Sequence, residues 1–107
     1  MNVFSAIVDP TRREILELLA KDGPLSATEI GEKFLISPPA ISQHLKVLRE
    51  ANLVKMDKRA QQHMYQINPQ AMLELSGWAN RMTQLWSQRF DALDALLEVE
   101  KKKRSSQ

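Results

Sequence analysis

Apolar residues recur along most of this chain at spacings of three and four, the period of an amphipathic helix. Val3, Phe4 and Ile7 predict a short amphipathic helix at the start. Asp9 is placed to cap a second helix, with Pro10 at its first position and Ile15, Leu16, Leu18 and Leu19 on its apolar face. Lys21-Asp22-Gly23-Pro24 stops it. Ser26-x-x-Glu29 then forms a capping box, in which each residue satisfies an orphan backbone N–H at the start of a third helix. Leu25 and Ile30 flank the box as a hydrophobic staple. A three-residue corner around Leu35 and Ile36 follows. Ser37 caps a fourth helix that opens with Pro38 and Pro39, so two N–H groups that would lack partners are absent. At about 100° per residue, Ile41, Leu45 and Leu48 share its buried stripe. Pro39, Gln43, Lys46 and Glu50 project from the other side, with Ser42 and Val47 on its edges.

Two capped helices joined by a tight corner, the second rich in Ser, Gln and Lys, make a helix-turn-helix over about residues 26–51. That geometry lays the second helix in a DNA major groove. Gln43 can bond bidentately to adenine, Lys46 can reach guanine or phosphate, and Ser42 can serve either. Taken alone, this face could equally be solvated helix surface. His44 lies beside the core stripe and reads as a packed, hydrogen-bonded structural histidine rather than a base reader or metal ligand.

Asn52 stands where a residue past a helix end adopts the left-handed conformation. The period then changes. Leu53–Lys58 and His63–Ile67 alternate partly with period two, which predicts a two-stranded wing over about 53–67. Its tip carries Lys58, Arg59, Gln61 and Gln62. Between Pro38 and Tyr65 five cations (Lys46, Arg49, Lys55, Lys58, Arg59) face two anions (Glu50, Asp57), a local charge of +3 in a chain of only +2. Cations gathered on a reading helix and hairpin suit neutralisation of phosphates, although Lys and Gln at a hairpin tip are also good solubilising choices.

Asn68-Pro69 opens the last helix, over about residues 70–100, roughly 45 Å at 1.5 Å per residue. Leu75, Trp78, Met82, Leu85, Trp86, Phe90, Leu93 and Leu97 recur along it, and Gly77 is its one weak point for a kink. So long a stripe outstrips what one small chain can cover and marks an interface. The expected solution is a two-fold homodimer through the terminal helices, with Phe4, Ile7, Trp78, Met82, Trp86 and Phe90 at the joint. The alternative is that the stripe folds back over its own winged helix. Lys101–Gln107 reads as a basic, disordered tail.

At 107 residues the chain reads as one domain over 1–100 followed by that tail. It has no cysteine, and therefore no disulfide, thiolate metal site or thiol switch. No apolar run is long enough to span a bilayer, and no signal peptide is evident, so a cytoplasmic location is expected. With two histidines and no Ser/His/Asp set, Gly-rich phosphate loop or paired carboxylates, enzyme chemistry is excluded and no cofactor or metal is expected.

Asp9-Pro10-Thr11-Arg12-Arg13, and above all Ala40-Ile41-Ser42-Gln43-His44-Leu45-Lys46-Val47-Leu48-Arg49-Glu50-Ala51, resemble the ArsR (arsenic-repressor-like) family of bacterial winged-helix repressors. The resemblance implies a homodimer on a pseudo-palindromic operator of double-stranded DNA, released by an effector that this sequence does not identify. It places Ser37, Pro38, Ser42, Gln43 and Lys46 at the DNA and Lys58 to Gln62 in the wing. Metal-sensing members carry Cys-x-Cys where this chain has Ser26 and Thr28, and others use a late histidine where this chain has none after His63. Their wings usually contain Gly, whereas the tip here is Arg59-Ala60-Gln61-Gln62. The chain thus resembles the cysteine-free branch. The expectation is a mainly α fold with a small β-hairpin, a winged helix-turn-helix acting as a sequence-specific transcriptional repressor. The competing reading is a winged helix used for protein–protein contact.

Overall fold

The computed structural model describes residues 2–105 and divides the chain into two compact units, one ending at Leu73 and the other beginning at Glu74. The first holds helices α1 (Val3–Ile7), α2 (Pro10–Asp22), α3 (Ala27–Glu32) and α4 (Pro38–Glu50), with strands β1 (Leu25–Ser26), β2 (Val54–Arg59) and β3 (Gln62–Ile67). Helix α5 (Pro69–Ser105) begins in the first unit and supplies the second. The architecture is mainly helical with a small sheet, a winged helix-turn-helix.

Each helix start in the first unit is fixed by the residue the sequence offers for it. Asn2 accepts from the Ser5 amide at 2.8 Å and Asp9 from the Arg12 amide at 3.0 Å. Ser26 and Glu29 complete the reciprocal capping box at 3.1 Å in both directions. Ser37 accepts from the Ala40 amide at 3.3 Å. Caps of this kind are each worth about 1 kcal/mol, so the helix register is set locally. Helix α4 ends in a Schellman turn: Asn52 takes φ 61°, its N–H reaches Arg49 O at 3.0 Å, and the Leu53 N–H reaches Leu48 O at 3.0 Å.

Ile15, Leu16 and Leu19 of α2, Ile30 of α3, Ile41, Leu45 and Leu48 of α4, and Leu53 and Val54 beyond it form one buried core. Val47, assigned from the sequence to the edge of the exposed face, is buried too. Helix α4 packs against β2 as well as α2 and α3, so its buried arc is wider than its apolar stripe.

Three expectations change. The wing is not a hairpin alone: β1 adds a third strand in the order β1-β3-β2, with Leu25 opposite Tyr65 and Ser26 opposite Met64. A strand of two residues is too short to show a period, and Ser26 both ends it and caps α3. The corner is wider than three residues, because i→i+3 turns from Lys33 N–H to Ile30 O and from Phe34 N–H to Gly31 O close α3 at Glu32. The basic segment from Lys101 is helical through Ser105, since Lys102, Lys103 and Arg104 in a last turn complement the helix dipole. Ser106 and Gln107 lie outside the described residues. Helix α5 also runs through Gly77 as one element.

Arg59 pairs with Gln62, so the wing turns in two residues, and Ala60 takes φ 54°, a left-handed conformation that glycine adopts more readily. An alanine pays a steric penalty of about 1–2 kcal/mol in that region, partly offset because glycine loses more freedom on folding. Ala60→Gly is therefore expected to raise stability by up to about 1 kcal/mol, read as a higher urea midpoint at unchanged slope.

Candidate nucleic-acid interface

The exposed arc of α4 carries Pro38, Pro39, Ser42, Gln43 and Lys46, all solvent-facing, and Ser37 stands exposed at its start. Ile41, Leu45 and Leu48 are buried on the other side. The polar arc is thus held rigidly by the core beneath it. Between α3 and α4 lies an open groove of about 410 Å³, whose walls include Ala27, Gly31, Ile36 and Pro38. Among the described residues Glu32 is the only charged one lining it, which makes no acid–base pair there.

The wing register divides the tip residues between two faces. Lys58 sits opposite His63, on the face of Val54 and Met56, whereas Arg59 sits opposite Gln62 on the other. All four are exposed, as is Gln61 in the turn. Asp57 accepts from Gln66 Nε2 at 3.1 Å, which ties down the anion nearest the tip. The wing is anchored at its base: Asn68 donates from its amide N–H to Leu53 O at 2.9 Å and from Nδ2 to Asn52 O at 2.8 Å.

Sequence reasoning missed what fixes α4 against the N-terminal helices. Arg12 donates from Nε to Ala6 O at 2.6 Å and from Nη2 to Ser5 O at 3.3 Å. Arg13 reaches Ile7 O at 2.7 Å and Val8 O at 3.0 Å. The paired arginines thereby satisfy the last carbonyls of α1, groups that a helix end leaves without partners. Arg12 Nη1 also lies 3.4 Å from His44 Nδ1, and Asp9 Oδ2 lies 4.0 Å from the same nitrogen. Arginine can only donate, so a neutral His44 meets it as an acceptor at Nδ1, whereas a protonated His44 turns the same nitrogen into a donor facing the Asp9 carboxylate. The histidine is a structural one, tying α4 to the start of α2. Asp-Pro-Thr-Arg-Arg was visible as a motif, but its carbonyl partners belong to another helix.

The hydrogen bond from the Arg12 amide holds the Asp9 carboxyl below its usual range; burial opposes it, and the nearby Arg12 and His44 charges add to the lowering. A depressed pKa contributes stability that is fully present above the unfolded value, about 3.9, and is lost as pH falls through the folded value. Urea midpoints are expected to fall below about pH 4, and Asp9→Asn, which keeps a capping oxygen, should flatten that acid limb. An identical acid limb in the variant would remove Asp9 as its source.

In the second unit Trp78, Leu85, Trp86, Phe90, Leu93 and Leu97 are 44–59 % exposed along α5. Met82 is half-buried, and the Trp86 and Phe90 rings lie 5.7 Å apart. In the first unit Phe4 is exposed and Ile7 half-buried. Among the described residues no helix is long and apolar enough to cross a membrane, and no group of three or more His, Cys, Asp or Glu residues is placed to hold a metal ion.

Residues 9–56, which span α2 through the start of the wing, match the family described as "Bacterial regulatory protein, arsR family". Transcriptional repressor SdpR of Bacillus subtilis is 43 % identical over 77 residues, covering 72 % of this chain and 84 % of that protein. The chain belongs to the ArsR family. A second relative, the HTH-type transcriptional regulator Rv2034 of Mycobacterium tuberculosis, is 35 % identical over 97 residues, 91 % of this chain and 87 % of its own length. The solved structure of an ArsR-like transcriptional regulator from Rhodococcus sp. RHA1 superposes with a TM-score of 0.76 at 28 % identity, covering 88 % of each chain. As an ArsR-family protein this chain is a DNA-binding transcriptional regulator and not an enzyme.

Proposed function

We propose that this regulator is a cytoplasmic repressor that binds a pseudo-palindromic operator as a homodimer. Gln43, Ser42 and Lys46 read base edges, Ser37, Pro38 and Pro39 meet the duplex at the tip of α4, and Lys58, Arg59, Gln61 and Gln62 of the wing approach the backbone. The observation that carries this reading is the exposed polar arc of α4, opposite the buried Ile41, Leu45 and Leu48, together with a cationic wing. The Bacillus subtilis relative SdpR is a transcriptional repressor. The exposed stripe of α5, with Trp78, Met82, Trp86 and Phe90, supports dimerisation, to which Phe4 and Ile7 contribute. A dimer presents two reading helices about 34 Å apart, one turn of duplex. No metal responds: Ser26 and Thr28 replace the paired thiolates that soft cations need.

The test is selection of bound duplexes from a random pool, followed by a reporter driven through the enriched site. A palindromic consensus and lower transcription when the protein is supplied are expected. Enrichment of no sequence, or a rise in transcription, would overturn the reading.

A further inference from the structure

Leu35 is 106 % exposed, while the other exposed large hydrophobics reach at most 73 %. A single exposed leucine needs no explanation, but this one is not isolated. It stands on the turn immediately before α4, followed by Ile36, itself 36 % exposed, and by the exposed Pro38 and Pro39. Together they make an apolar tip at the end of the reading helix.

The chemistry of that tip excludes the usual use of a helix start. Such an end offers free N–H groups to phosphate. Here Pro38 and Pro39 have no N–H, the Ala40 amide is taken by the Ser37 hydroxyl, and the Ile41 amide by Ser37 O. From Pro38 to Ile41, therefore, no backbone donor remains for a phosphate or a base. What the tip can offer is apolar contact.

In a helix-turn-helix the N-terminal residues of the second helix approach base edges in the major groove. The one apolar group on that floor is the 5-methyl group of thymine. We propose that Leu35, backed by Pro38 and Pro39, is a specificity-determining residue that packs on a thymine methyl in each half-site. The inference rests on the DNA-reading function of α4 proposed above.

Deoxyuridine deletes the methyl and leaves every hydrogen-bonding group of the base intact, which makes it the probe. The full chain is first used to select a site from random duplexes. Each thymine of that site is then replaced by deoxyuridine, and binding is measured for the unaltered protein and for Leu35→Ser. Because Leu35 buries nothing in the free chain, the substitution leaves the core untouched. At one thymine per half-site the unaltered protein is expected to bind the uridine duplex about fourfold more weakly, the effect of one buried methyl. In Leu35→Ser that penalty should vanish while those at other positions persist. If a site is enriched but no uridine penalty depends on Leu35, this inference fails and the operator reading stands. If no sequence is enriched, both fail.

Discussion

Trp86→Glu is expected to yield a monomer that still binds random DNA but loses operator affinity by a factor of about 10²–10⁴. Trp86 lies mid-way along the exposed apolar stripe of α5, with Phe90 against it. A tryptophan in such a stripe is the kind of residue that anchors an interface, and a carboxylate there would be buried without a partner on association. In a dimer the second reading helix binds intramolecularly, an advantage that vanishes on dissociation. Random-DNA binding depends on the cations of each subunit and should fall far less. Trp86 is half-exposed within one chain and belongs to none of the buried core, so the variant should keep its fold, to be checked by circular dichroism. Sedimentation showing a dimer, or a monomer with full operator affinity, would refute the role of α5.

Gln43→Ala should change which sequences are preferred more than how tightly DNA is held. Gln43 is exposed on the arc opposite Ile41, Leu45 and Leu48, so its loss leaves the core intact. If it bonds bidentately to adenine, removing it relaxes discrimination at one base pair per half-site by about 1–3 kcal/mol, roughly 5- to 150-fold. Affinity for sites already mismatched there should barely change. The measurement is the ranking of single-base operator variants by the two proteins, and an unchanged ranking would remove Gln43 from base reading.

Much of the fold could be read directly because its determinants are local. Asp9, Ser26 with Glu29, and Ser37 cap helices through bonds to amides only three residues away, so residue types at fixed spacing suffice to place them. Asn52 in the left-handed region and the period change after it mark where the wing begins. The family motif in α4 is likewise contiguous, so the resemblance that implies DNA binding rests on local sequence alone.

What escaped depends on partners far apart in the chain. Two residues, Leu25 and Ser26, become a strand only because β3 comes alongside, some forty positions later. Val47 is buried although it lies off the apolar stripe of α4, a helix that packs against β2 as well as α2 and α3. Arg12 and Arg13 stand in a recognisable motif, but their partners are carbonyls at the end of α1, which only the fold brings within reach. The tip cations looked like one cluster until the strand register set Lys58 and Arg59 on opposite faces. The sequence by itself therefore determined the helices, their caps and the kind of chemistry on the reading helix, since these follow from period and short-range hydrogen bonding. Tertiary structure alone decided which side chains remain for a ligand, including the apolar tip at Leu35, because exposure is a property of what the rest of the chain leaves uncovered.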